Sequence, residues 1–260
     1  MKIALQPAYV LHSRPFRDSS VLLEVFTAEH GRVSLVARGL GRKRRGGSLA
    51  SLLQPFQPLL VGFQGRGELQ SLRDVEAAGH LLRLRGDALI SGFYLNELLL
   101  RLVHRSDPQP TLFLLYGETL ELLGSAETSA IEPILRRFEF RTLEQLGYAM
   151  DLRHDAHTGV PLVTTERYIF TPEHGVSRAS GGADAELTFP GADLLAVAGG
   201  RYESAPTSAK RLARLLLQPY LGDKPLRSKS MFRDMRALQR RGESPVESRV
   251  PVEPASRRGS

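Results

Sequence analysis

The spacing of apolar residues changes once along this chain, near residue 80, and that change limits the folds open to it. Before it, residues 9–12, 21–26, 32–37, 59–63 and 69–72 read as short strands, cut apart by Pro15, Gly31, Gly39, Pro55, Pro58, Gly65 and Gly67. Five strands in so short a stretch suggest a small closed sheet, because closure removes edges that would otherwise pair with other chains. An OB-like barrel suits the count, and other five-stranded barrels suit it equally at this level.

After it, the period lengthens toward 3.6. Leu82, Leu89, Phe93, Leu100 and Val103 fall on one face of a helix that the Asp107-Pro108 turn ends. Leu112, Leu115, Tyr116, Leu120 and Leu123 make a second stripe, and Ile131, Ile134, Leu135 and Phe138 a third that closes near Gly147. Adjacent amphipathic helices imply a bundle, and these stripes are its core. Between 151 and 206 the pattern fades, with one hairpin expected from Tyr168-Ile169-Phe170 and Val176-Ser177 around Pro172 and Gly175. Helical spacing returns at 209–217, stops at Pro219 and resumes over 228–241. The expected fold is α+β: a barrel over 1–80, a mostly helical domain over 81–241 with a small irregular or hairpin insertion around 151–206, and a disordered tail over 242–260.

A chain of 260 residues with 42% hydrophobic content can bury a sizeable core. It has no cysteine, which excludes disulfides, thiolate nucleophiles and cysteine-held zinc and fits the cytoplasm. The opening residues lack the apolar run of a signal peptide, and no later stretch approaches the ~18 apolar residues of a membrane helix. Lysine and arginine number 35 against 28 acidic residues, a net charge of +7 that favours a polyanionic partner.

The charge is concentrated. Arg32, Arg38, Arg42, Lys43, Arg44 and Arg45 lie in a stretch without an acidic residue, ending in a glycine-flanked basic loop suited to an irregular phosphate backbone. Neutralising about four phosphates of a single strand would give a salt slope of about −3. The loop has three positions of a phosphate-binding P-loop in Gly41, Gly46 and Ser48, but Gly47 stands where the lysine must be, so nucleotide hydrolysis is rejected. A second basic element spans 201–241, with eleven basic and three acidic residues. There Lys229, Arg233, Arg236 and Arg240 share one helix face, opposite Met231, Met235 and Leu238. Of the aromatics near the basic sites, Phe16, between Arg14 and Arg17, is the best candidate to stack on a base. His154 and His157 with Asp151 and Asp155 read as a polar loop rather than a metal site, and no hydrolase, zincin or dinucleotide motif occurs. Catalysis is not supported.

Several segments together resemble the bacterial RecO family of recombination mediators. They are 10–16, 25–33, 53–59, Gly92-Phe93-Tyr94-Leu95-Asn96-Glu97-Leu98-Leu99, Arg136-Arg137-Phe138-Glu139 with Leu146-Gly147-Tyr148, and Pro219-Tyr220-Leu221-Gly222 with Lys224-Pro225-Leu226-Arg227-Ser228. The resemblance implies an N-terminal OB-fold, a helical C-terminal domain and no enzymatic activity. It implies a DNA repair and recombination mediator, cytoplasmic and nucleoid-associated. Such a protein binds single- and double-stranded DNA, anneals strands without ATP, associates with RecR and helps load RecA. It also takes the acidic, phenylalanine-ended tail of single-stranded DNA-binding protein.

The residues expected on DNA are Arg14, Arg32, Arg38, Arg42, Lys43, Arg44, Arg45, Lys229, Arg233 and Arg236. Such a tail needs an apolar pocket and cations, which Arg136 and Arg137 beside Phe138, with Arg211, could offer. Some members carry a four-cysteine zinc site; here Asp155 stands where one cysteine would fall, so no metal or cofactor is expected and hydrogen bonds should hold that loop. The rival reading is an adaptor that binds only acidic protein tails and no DNA itself.

Overall fold

The computed structural model describes residues 2–17, 20–39, 43–44, 47–172, 174–222 and 224–242, with 43, 44, 47 and 235–242 described as backbone only. In chain order the first part holds β1 (Lys2–Phe16), β2 (Ser20–Thr27), β3 (Gly31–Arg38), the two-residue strands β4 (Lys43–Arg44) and β5 (Gly47–Ser48), the single-turn helix α1 (Leu49–Leu52), β6 (Leu59–Gln64) and β7 (Leu69–Ala77). Five of these close a barrel in the order β1-β2-β3-β7-β6, with β3 and β7 parallel and the other pairs antiparallel. That ring order and the strand count are those of an OB-fold. Val10, Leu23, Val25, Val33, Leu35, Leu59, Val61 and Phe63 fill its interior. The first strand begins at Lys2, seven residues earlier than its apolar pattern indicates, because residues 2–8 gain ladder partners from β6.

The second part holds α2 (Gly86–Leu102), α3 (Pro110–Ser125), α4 (Thr128–Gln145), β8 (Arg167–Thr171), β9 (Gly175–Arg178), β10 (Thr188–Pro190), α5 (Gly191–Ala198), α6 (Pro206–Leu221) and α7 (Arg227–Gly242). The hairpin expected near Pro172 is present as β8 and β9, and β10 adds a third strand that the sequence pattern did not signal. Helix α6 runs through Pro219, whose missing N–H removes a bond only in the last turn. The stripe expected on α2 needs correction. Leu82 precedes the helix, Leu89, Phe93 and Leu100 are only partly buried, and the deeply buried positions are Leu95, Leu98, Leu99 and Leu102.

Barrel and bundle share one interface. A register shift in β1 between Val10 and His12 takes Leu11 out of the ladder with β2. The Leu11 carbonyl accepts a hydrogen bond from Asn96 Nδ2 at 2.9 Å, and Asn96 Oδ1 accepts one from the Tyr116 hydroxyl at 2.5 Å. Around this buried link, Phe26 packs on Phe113 and Tyr116, and Phe56 on Phe93, with ring centroids 5.1–6.4 Å apart. Aromatic pairs at such separations add to the hydrophobic gain of burial.

Candidate nucleic-acid interface

The ladders of β1, β2 and β3 fix which side chains share the barrel's outer face. Directly paired residues point the same way, so Phe26 with Arg32, Glu24 with Ser34, Leu22 with Val36 and Arg14, and Ser20 with Arg38 and Phe16 form successive rungs. The rungs fall into two halves with different fates.

The lower half is covered by the bundle. Arg105 Nη2 meets Glu24 Oε1 at 2.9 Å, and its Nη1 donates to Ser34 Oγ, which itself donates to Glu24 Oε1 at 2.7 Å. Arg32 belongs to this half. Its Nε donates to the Val103 carbonyl at 3.0 Å and its Nη1 lies 3.5 Å from Glu24, with 16% of the side chain exposed. The expectation that Arg32 faces DNA is therefore corrected: position on the strand turns it toward the 103–105 segment, where it pins the two parts together.

In the upper half Leu22 and Val36 are buried, but its cations are exposed. Arg14 and Arg38 are exposed, and none of the described ion pairs involves them or Arg17. Arg17 has a positive φ of 55°, and its guanidinium lies 5.4 Å from the Phe16 ring centroid. That places a cation over the ring expected to stack, and Arg17 joins this surface although the sequence reading gave it no role. The basic segment leaves from the end of β3. Its Lys43 and Arg44 form β4, in register with Ser48 and Gly47, so part of the loop is a minimal hairpin; Arg42 and Arg45 lie outside the described residues.

On α7, Lys229 and Arg233 are exposed, and Arg236 continues the helix beyond the last described side chain. The residues expected to take an acidic tail divide. Phe138 is fully buried in the core and Arg136 is also buried, its Nη2 2.7 Å from Glu139 Oε1. Neither presents a surface, a correction the helix geometry explains: both fall on the inward side of α4, and Arg137 alone points out. Arg211 is half-buried, stacked 4.1 Å from the Phe189 ring centroid and donating to the Ala185 and Thr188 carbonyls. The more accessible cations there are Arg137, Lys210 and Arg214, the last two held by Glu132 at 3.1 Å and Glu186 at 3.6 Å.

The loop after Asp151 is organised by carboxylates acting on backbone. Asp155 accepts N–H bonds from His157, Thr158 and Arg178 at 2.7–3.0 Å. Burial works against its charge, yet these donors hold its carboxyl below the usual range. Asp151 accepts from the Arg153 N–H and pairs with His154 Nδ1 at 2.8 Å. Among the described residues, no group of three or more His, Asp or Glu side chains is placed to hold a metal ion, and no helix is long and apolar enough to cross a membrane.

These features define a class: a five-stranded OB-type barrel docked through half of its outer face onto a helical bundle, with exposed arginines on the other half. Residues 1–80 match the family model described as Recombination protein O N terminal, and residues 83–230 the model described as Recombination protein O C terminal. The chain belongs to the RecO family of DNA repair proteins. It is 45% identical over 234 residues to the DNA repair protein RecO of Cellvibrio japonicus, covering 89% of this chain and 98% of the relative. It is 44% identical over 236 residues to that of Nitrosospira multiformis, covering 90% and 96%. Against that of Proteus mirabilis it is 43% identical over 230 residues, covering 88% and 92%.

Proposed function

We propose that the protein is a recombination mediator that binds single- and double-stranded DNA, anneals complementary strands without nucleotide hydrolysis, and helps load RecA on strands coated by single-stranded DNA-binding protein. The observation that carries this reading is the upper half of the barrel face, where exposed Arg14, Arg17 and Arg38 adjoin the segment holding Arg42, Lys43, Arg44 and Arg45. Strands repel because each carries one charge per phosphate. Arginines here neutralise one strand while Lys229, Arg233 and Arg236 on α7 hold a second, and pairing follows from the bases. Association with RecR, and a place at the nucleoid in the cytoplasm, belong to the same reading and rest on kinship with RecO proteins. The acidic tail of single-stranded DNA-binding protein would meet the exposed cations Arg137, Lys210 and Arg214, with half-buried Arg211; at Lys210 and Arg214 carboxylates of the tail can replace Glu132 and Glu186 as partners.

A labelled oligonucleotide titrated at several salt concentrations tests the DNA reading. Replacing Arg42, Lys43, Arg44 and Arg45 by alanine should make the log–log salt slope shallower by about 3 and slow annealing. Unchanged affinity at low salt would remove the loop from the interface. A wild-type protein that shifts no oligonucleotide, while still taking an acidic tail peptide, would favour an adaptor without DNA contact.

A further inference from the structure

Two of the segments through which the chain resembles its family, 92–99 and 224–228, meet at one node. Glu97 on α2 reaches the start of α7: its Oε1 accepts the Arg227 N–H at 2.9 Å, and its Oε2 accepts the Ser228 N–H at 3.1 Å and the Ser228 hydroxyl at 2.9 Å. Arg101, one turn further along α2, lies 3.1 Å from Glu97 Oε1 and donates to the carbonyls of Leu221, Lys224 and Pro225 at 2.5–3.3 Å. One carboxylate thus caps α7, and one guanidinium holds the turn that leads from α6 into it.

Helix α7 needs such a cap. Along 227–242 it carries Arg227, Lys229, Arg233, Arg236, Arg240 and Arg241 against the single acid Asp234. Cations three and four apart repel along its face. Phosphates would relieve that repulsion, whereas the bare helix depends on what holds it from outside. Among the described elements, α7 packs chiefly on α2. Because Glu97 stands near the C-terminal end of α2, α7 can follow α2 only toward its N-terminal end.

We propose that Glu97 and Arg101 are positioning residues that fix the cationic face of α7 as a rigid second strand-binding surface, separate from the barrel's basic loop. The role rests on the DNA-binding reading above. Neither residue touches DNA; both act through the orientation of Lys229 and Arg233. The low proton affinity of Glu97 agrees with this arrangement: burial opposes its charge, but the two amides, the Ser228 hydroxyl and Arg101 keep it ionised.

The test uses the full chain with Glu97→Ala, the charge removal Lys229→Ala/Arg233→Ala, and both sets combined. Annealing of complementary oligonucleotides and hydrogen exchange of 225–242 are followed together. Glu97→Ala should slow annealing by about tenfold and speed α7 exchange by a similar factor, the scale of one lost helix cap, with exchange of α4 unchanged. Added to the α7 charge removal, it should have no further effect on annealing, because a positioning residue acts only through what it positions. The same loss on both backgrounds, or no loss in either, overturns the proposal. If Glu97→Ala fails to fold, Glu97→Gln keeps an acceptor for the same comparison with a smaller expected loss. A wild type that binds no oligonucleotide overturns the DNA reading and with it this role, while exchange still reports whether Glu97 caps α7. Wild-type annealing that persists unchanged in Glu97→Ala, with oligonucleotide binding intact, overturns the positioning role alone.

Discussion

Arg136→Met is expected to lose about 3–5 kcal/mol of stability at neutral pH, the largest effect of any single charge replacement in the bundle. The reason lies in Glu139, which is 1% exposed and shares its Oε1 between Arg136 Nη2 at 2.7 Å and the Tyr94 hydroxyl at 2.5 Å. Its Oε2, the Arg136 Nε and Thr142 Oγ1 are buried without a protein partner among the described residues. Removing the guanidinium leaves a carboxylate in the core with one neutral donor. Burial already pushes the Glu139 carboxyl above the ordinary carboxylate range, against the pull of Arg136, Tyr94 and Lys210 and with help from Glu132.

The sign of the pH dependence follows. A carboxyl whose folded proton affinity exceeds its unfolded one favours the folded state at low pH. That contribution fades as pH rises from about 4.3 through the raised folded value. The Arg136→Met defect should therefore shrink in acid, where Glu139 takes a proton, and reach its full size above that window. Arg136→Met/Glu139→Gln, which keeps an acceptor for Tyr94, should recover most of the loss. Urea unfolding on both sides of the window measures this, and a pH-independent defect would mean that lost packing, not a stranded charge, causes it. The same contrast bears on tail binding. Arg137→Ala should stay within about 0.5 kcal/mol of the wild type, so a lost tail interaction in that variant reports contact rather than unfolding.

What the sequence disclosed and what it hid can be told from particular side chains. The strands of the barrel and the hairpin at 168–177 were legible because their periodicity and turn residues are local. The face of α2 was not. That helix packs against β1, α3, α4, α6 and α7, so burial spreads around it and no single stripe marks the core. Arg32 and Arg38 are indistinguishable as letters on one strand. They differ because Val103 and Arg105, some seventy residues away, cover one and not the other. For Arg136 a signal existed: Glu139 stands beside the apolar run Ile131, Leu135, Phe138 and Leu143, so an ion pair formed three residues apart would be drawn inside with it. Glu97 and Arg101 look like an ordinary exposed i,i+4 pair, and only the return of the chain at 227–228 gives them another role.

Gly31→Ala should lower stability by about 2–5 kcal/mol and loosen the bundle from the barrel. Gly31 turns the chain from β2 into β3 with φ of 61°, a conformation that alone costs a side-chain-bearing residue about 1–2 kcal/mol. A Cβ there would also stand 1.9 Å from the Asp107 carbonyl oxygen and 2.5 Å from its carbon, backbone that cannot yield without moving 106–108. The displaced segment is the one that pins the two parts, since the Ser106 N–H donates to the Arg32 carbonyl at 3.0 Å and Arg105 grips Glu24. Gly67→Ala provides the control: its φ of 84° is equally unfavourable, but nothing lies within 4 Å of the added atom, so the loss should stay near the conformational cost of about 1–2 kcal/mol. In thermal unfolding the difference between the variants should be on the order of 5–10 °C. Equal shifts would show that 106–108 yields freely and that the clasp is loose. Because Arg14 and Arg38 lie on the upper rungs and Arg17 just past the end of β1, away from this contact, Gly31→Ala should keep single-strand affinity while annealing falls. That combination is expected only if annealing needs barrel and bundle held in one fixed relation.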